Sequence, residues 1–167
     1  DSETVFEPKE LKAIETDGQV CLVRYSPCGQ FLFGGGYDSV IRRWDMSIDD
    51  PQELDPLIGH RGWVQRIEFS PDGEKLFSVD SWGRLCCWPW RDEAASPYWS
   101  VDEAHDGWIR TLAVSADGAM LATAGRDRSV RIWSAVNGTL NKELPQHSHD
   151  LCQVAIHPDG KAVVTGD

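Results

Sequence analysis

The sequence predicts an all-β chain built from repeated four-stranded units, on three observations. A hairpin signature recurs as Ser26-Pro27-Cys28-Gly29, Ser70-Pro71-Asp72-Gly73, Ser115-Ala116-Asp117-Gly118 and His157-Pro158-Asp159-Gly160, its glycines 44, 45 and 42 residues apart. A dipeptide ending in histidine (Gly59-His60, Ala104-His105, Gln146-His147) returns at spacings of 45 and 42. A tryptophan at Trp44, Trp88 and Trp133 returns at 44 and 45. Three independent markers sharing one period define an internal repeat.

Within one period the apolar residues alternate, as strands require. In the third unit Ile109, Leu112 and Val114 form one strand, closed by the Asp117-Gly118 hairpin signal. Leu121–Ala124 form the next and Val130–Trp133 the one after, and the Asn137-Gly138 turn leads into Thr139–Leu144. Four short strands per period describe one propeller blade. The Asp-Gly pairs are read as turn chemistry, not as calcium sites.

Composition narrows the function classes. Of 167 residues, 41% are hydrophobic and 26% charged, a globular balance. Asp and Glu number 27 against 16 Lys and Arg, a net charge of −11, which argues against nucleic acid as a partner. No apolar run is long enough for a membrane span, and the start, Asp1-Ser2-Glu3, does not read as a signal peptide. Five cysteines (Cys21, Cys28, Cys86, Cys87, Cys152) form neither a paired framework nor a C-x-x-C site. Cys86 and Cys87 are expected on opposite faces of a strand. The expectation is reduced thiols in a cytoplasmic setting, with no metal and no cofactor.

These markers carry a resemblance to a known family. The chain resembles WD-repeat β-propellers over essentially its whole length, on the Gly59-His60 type of dipeptide, the Ser-Pro-Asp-Gly hairpin and the strand-ending tryptophan, seen as Trp44-Asp45 in the first unit. The resemblance implies that each blade is braced by a hydrogen-bonded set of His, Ser or Thr, Asp and Trp. The third unit matches fully with His105, Thr123, Asp127 and Trp133. The second offers His60, Ser78 and Trp88, but Trp82 stands at the Asp position and Asp80 two residues before it, so Asp80 is expected to lie outside the bracing. In the first, Asp38 and Trp44 match while Thr16 and Gly34 replace the His and the hydroxyl. The fourth offers His147 and Thr165.

On this reading residues 1–15 supply the outer strand of a preceding blade, through Glu10–Glu15. Residues 16–58, 59–103 and 104–145 form three full four-stranded blades, and 146–167 an incomplete fourth. WD-repeat propellers usually have seven blades, so the chain is expected to be about half a ring, a segment of a longer protein completed by the remaining half in cis. Self-pairing of two copies is the alternative.

Other groupings are weighed against plainer roles. His147-Ser148-His149-Asp150 with His157 could suggest metal ligation. However, His147 holds the repeat's bracing position, and His157 lies in a hairpin about 20 Å away at 3.3 Å per strand residue. Recurrence of the His-Thr-Asp-Trp set argues for bracing, since a catalytic site would occur once. Gly34-Gly35-Gly36 lacks the Lys-Ser/Thr of a phosphate loop and is read as a strand end where side chains are crowded out. Asn137-Gly138-Thr139 is read as a turn. Strand alternation puts Arg42 and Arg131 on exposed faces as solvated charges.

Function is expected to lie in the aromatics. Trp88 and Trp133 hold core positions. Trp63 and Trp108 each follow the motif His by three residues, and Trp82 lies between the second and third strands of its unit. By the resemblance these loops open on one rim of the central channel, together with Tyr37 and Arg126. Trp, Tyr and Arg are the residue types enriched in binding hot spots. The expected function is a non-catalytic scaffold binding a protein or peptide through Trp63, Trp82, Trp108, Arg126 and Tyr37. The alternative is part of an enzyme, or a sensory module attached to a catalytic domain.

Overall fold

A computed structural model describes residues 12–93 and 96–167. Among them there is no α-helix. Fourteen strands form four antiparallel sheets, each in simple sequence order. The first holds β1 (Val20–Tyr25), β2 (Phe31–Gly36), β3 (Val40–Asp45) and β4 (Gln52–Ile58). The second holds β5 (Val64–Phe69), β6 (Leu76–Asp80), β7 (Leu85–Trp88) and β8 (Trp99–Val101). The third holds β9 (Ile109–Val114), β10 (Met120–Gly125), β11 (Val130–Ser134) and β12 (Leu140–Glu143), and the last two strands are β13 (Gln153–Ile156) and β14 (Val163–Gly166).

Each sheet begins with its innermost strand: β1 packs on β5, β5 on β9 and β9 on β13. The hairpin signature closes the first two strands of every sheet. Gly29, Gly73, Gly118 and Gly160 all adopt φ of 72–73°, where a side chain is strained, and each donates its N–H to the carbonyl three residues earlier at 2.8–2.9 Å. Ser70 Oγ and Ser115 Oγ then accept from Lys75 N and Met120 N, both at 2.9 Å, which fixes the register of the returning strand.

Sheets stack face to face, so interior strands bury both sides. Along β6, Leu76 faces a core shared with Phe33, Ile41 and Leu57 of the first sheet, while Phe77 and Val79 face Ile109, Leu112 and Leu121 of the third. Cys86 and Cys87 part in the same way, one into each core, and burial pushes both thiols up to about 12. They act as small apolar residues.

Two expectations need correction. Residues 10 and 11 lie outside the described residues, and Lys12–Thr16 carry no strand. Arg42 and Arg131 are not solvated. Their side chains are mostly covered, and they pair with Asp38 at 2.7 Å and Asp127 at 3.1 Å, four residues earlier across the β2–β3 and β10–β11 turns. Arg43, their neighbour in the first unit, is buried. Its guanidinium donates to the carbonyls of Asp55 (2.6 Å), Asp92 (3.0 Å), Glu93 (3.2 Å) and Trp90. It thereby fastens the segment after β7 onto the first sheet. Alternation along one strand carries no information about this, because the covering carbonyls of Trp90, Asp92 and Glu93 come from a segment of the next unit.

Candidate functional site

The end of each sheet where β2 meets β3, β6 meets β7 and β10 meets β11 is built to one plan. The innermost strand starts with a bulge, an extra residue at Cys21, Gln65 or Arg110 against its partner strand. Just before it, the carbonyls of Gln19, Trp63 and Trp108 accept from Tyr37 N (3.4 Å), Ser81 N (2.9 Å) and Arg126 N (2.9 Å). Two repeat positions are thus brought side by side in each of these three sheets. At Gly36 and Gly125 a β-carbon would fall 1.9 Å from the Gln19 oxygen and 2.2 Å from the Trp108 oxygen, whereas the second sheet makes the same contact with Asp80 at this position.

Those positions assemble most of the predicted site residues into one row. Tyr37 meets Trp63 edge to face with ring centroids 4.6 Å apart, and Trp63 meets Trp108 in the same manner at 5.3 Å. The Arg126 guanidinium lies 4.8 Å from the Trp108 centroid, and its Nε is 3.5 Å from Asp150, ahead of β13. The row therefore crosses all four sheets. Tyr37 keeps 45% and Trp63 40% of its surface exposed, and Trp108 is half-buried.

Trp82 is not part of the row. It is 68% exposed and lines a cleft with Glu103, His105, Asp106, Gly107 and Arg131. In this turn Ser81, not Trp82, is the residue that meets the start of β5, and its Oγ accepts from Trp63 N at 2.9 Å.

Beneath the rim lie the braces. In the third sheet His105 Nδ1 is 2.9 Å from Asp127 Oδ1, His105 Nε2 is 2.7 Å from Thr123 Oγ1, and Trp133 Nε1 donates to Thr123 Oγ1 at 2.8 Å. In the second sheet Trp88 Nε1 donates to Ser78 Oγ at 2.7 Å, Ser78 Oγ is 2.6 Å from His60 Nε2, and His60 Nδ1 is 3.0 Å from Asp80 Oδ2. Asp80 also accepts from the backbone N–H groups of Arg61, Gly62, Trp82 and Arg84. The expectation that it lies outside the bracing is therefore wrong. Asp80 stands where Gly36 and Gly125 stand, two residues early, and its side chain reaches the same imidazole. Pattern matching by position missed it, although a carboxylate within two residues of the expected place was a usable signal.

Donor order in this brace follows from chemistry. A carboxylate takes the Nδ1 proton, which leaves Nε2 as an acceptor for the hydroxyl, while the hydroxyl accepts from the indole. Burial pushes the Asp80 and Asp127 carboxyls up, but the histidine hydrogen bonds and backbone donors outweigh it, and both fall to about 2. Ser78 and Thr123, the hydroxyls at the centre of the two relays, are wholly buried.

The first sheet lacks this brace. Gly34 holds the hydroxyl position, and the buried Trp44 Nε1 has no partner among the described residues. Thr16 donates to Gly18 O at 2.7 Å instead of meeting Asp38. In the fourth unit His147 Nε2 is a long 3.4 Å from Thr165 Oγ1, whereas His149 pairs with Asp167 and His157 with Asp159. The histidines of this unit are thus spread over different partners.

Comparison with known proteins agrees with this geometry. The family model described as WD domain, G-beta repeat matches residues 9–45, 52–89, 98–134 and 138–167. The chain belongs to the WD-repeat family. The 52–89 and 138–167 stretches start at or near the last strand of one sheet, so sequence repeat and sheet are staggered. Among curated relatives, the chain is 29% identical over 87% of its length to the chromatin assembly factor 1 subunit FAS2 homolog of Oryza sativa subsp. japonica, covering 31% of that protein. It is 26% identical over 94% of its length to Protein groucho of Drosophila melanogaster, covering 21%. It is 27% identical over 81% to nuclear distribution protein PAC1 of Arthroderma otae, covering 24%. The WD-repeat chain thus spans less than a third of these relatives. A chain in a crystal structure of the mitotic checkpoint complex superposes with a TM-score of 0.80 at 23% identity, over 93% of this chain and 46% of that one, which shows the shared propeller fold.

Proposed function

We propose that this WD-repeat chain is a non-catalytic scaffold that binds a protein or peptide across its rim, with Trp63 and Trp108 as anchors and Tyr37 and Arg126 at the two ends. The observation that carries this reading is the continuous row Tyr37–Trp63–Trp108–Arg126, half-exposed and set on rigid sheets. Rings already held in place by their neighbours lose little conformational freedom when a partner covers them. The relatives' own names, a chromatin assembly factor subunit among them, and the checkpoint complex that contains the structural neighbour, support a role in assemblies. The net charge of −11 favours a partner carrying positive charge, which would be steered toward the protein.

The test compares the full-length protein with its Trp63→Ala and Trp108→Ala variants by quantitative affinity purification, followed by calorimetry on each recovered partner. A partner whose affinity falls about thirtyfold in both variants supports the rim. Unchanged affinity for every recovered partner overturns it.

A further inference from the structure

The cleft beside Trp82 lies apart from the aromatic row and stands independently of the rim reading. It separates the β6–β7 turn from the turn that leads into β9, has a volume of about 540 Å³, and is lined by Trp82, Glu103, His105, Asp106, Gly107 and Arg131. Its walls are tied together: Ala104 N and His105 N both donate to Gly83 O, at 2.8 and 3.3 Å. Gly83 has φ of 83°, and a β-carbon there would fall 2.1 Å from the His105 oxygen, so only glycine lets the two turns approach. On its other side Trp82 rests on Gly62, where a β-carbon would come within 2.6 Å of the indole Cδ1.

Comparison among the repeats shows why an indole can stand here. The equivalent positions, Asp38 and Asp127, are spent on ion pairs with Arg42 and Arg131. In the second sheet both charges move two residues toward the N-terminus. Asp80 supplies the acid. Arg84 supplies the base, its guanidinium reaching Gly59 O as that of Arg131 reaches Ala104 O. Bracing is complete without position 82, and the side chain there is released into solvent. A large ring left 68% exposed returns little stability, and such a break in a local rule marks a functional position.

The charges around this ring are unbalanced. Among the described residues Glu103 and Asp106 have no cation within ion-pair distance. Arg131 is engaged by Asp127 and by Glu143 at 3.3 Å, while the neighbouring Arg61 and Arg84 are engaged by Asp102 at 2.9 and 3.0 Å. We propose that this cleft binds a cationic side chain, arginine or lysine, of a protein segment, with the Trp82 indole as its aromatic wall and Glu103 and Asp106 as its counter-charges.

The experiment uses the full-length protein labelled with 5-fluorotryptophan, the Trp82 resonance being the one absent in Trp82→Phe. It is titrated by ¹⁹F NMR with the capped tripeptides Gly-Arg-Gly, Gly-Lys-Gly and Gly-citrulline-Gly. A saturable shift of the Trp82 resonance is expected with arginine or lysine and not with citrulline, and the tighter of the two identifies the cation. Glu103→Gln and Asp106→Asn, both exposed changes, should each weaken it about threefold, and added salt should weaken it further. No saturable shift with either cation, an equal shift with citrulline, or indifference to both carboxylate changes would overturn the proposal. A shift confined to Trp63 and Trp108 would also overturn it, by placing the cation on the row.

Discussion

Asp80 Oδ2 stands 3.0 Å from His60 Nδ1, both side chains fully buried, although the repeat places its acid two residues later. The brace is therefore conserved in geometry and not in position. A strand residue pointing back toward the innermost strand and a turn residue folding inward reach the same imidazole nitrogen. The same two-residue displacement in Arg84 keeps the charge pattern of the turn and frees Trp82.

Asp80→Ala should therefore destabilise the second sheet by about 3 kcal/mol, at least as much as Asp127→Ala does the third, because an imidazole and four backbone donors lose their acceptor. Chemical denaturation of the full-length protein and the two variants measures it. A loss at Asp80 far below that at Asp127 would return the acid to a surface role.

Acid should weaken the same braces. Asp80 and Asp127 titrate near 2 in the folded chain and near 3.8 when free, so their contribution is complete above about pH 4. It is lost as pH falls from about 4 through about 2, amounting to about 2 kcal/mol for the fully buried Asp80. Thermal melts between pH 5 and pH 2 should show a smaller fall in Tm for Asp80→Asn than for the unaltered protein.

Trp90 is a core element that the repeat does not announce. Its ring packs edge to face on Phe31, Phe33 and Phe69, its Nε1 donates to Gly73 O at 3.0 Å, and its carbonyl receives Arg43. Trp90→Ala should cost about 3–5 kcal/mol through the cavity it leaves between the first two sheets. Trp82→Ala, at an exposed site, should change stability by less than about 0.5 kcal/mol. Denaturant midpoints of the two variants separate a core tryptophan from a surface one.

Trp63 and Trp108 should be coupled. A double-mutant cycle on stability, with each changed to Ala singly and together, should return an interaction of about 0.5–1.5 kcal/mol for the edge-to-face pair. Strict additivity would mean that the two rings do not support each other in solution.

Much of the fold was legible because turns and alternation are local properties. The four Gly-ended hairpins, the strand pattern of the third unit and the parting of Cys86 from Cys87 all follow from backbone geometry over a few residues. The row residues Tyr37, Trp63, Trp108 and Arg126 were legible for a related reason, since a repeat places equivalent positions at equivalent points of successive sheets. Trp82 shared their repeat neighbourhood but not their neighbours in space. Arg42 and Arg131 were misread as solvated because alternation has no knowledge of a turn carboxylate, Asp38 or Asp127, folding back onto the guanidinium four residues later.

The sequence by itself determined the period, the all-β class and the hairpins, because these depend on residue chemistry within a few positions. Only the tertiary structure decided that Asp80 completes a brace, that Arg43 and Trp90 fasten two sheets, and that four rim residues touch while Trp82 faces a cleft of its own. Each of these depends on the distance between side chains from different strands or sheets. Two residues along a strand shift a side chain by about 7 Å, yet a side chain reaching from a different backbone position can recover the same contact. Position in a repeat cannot register that compensation, and packing can.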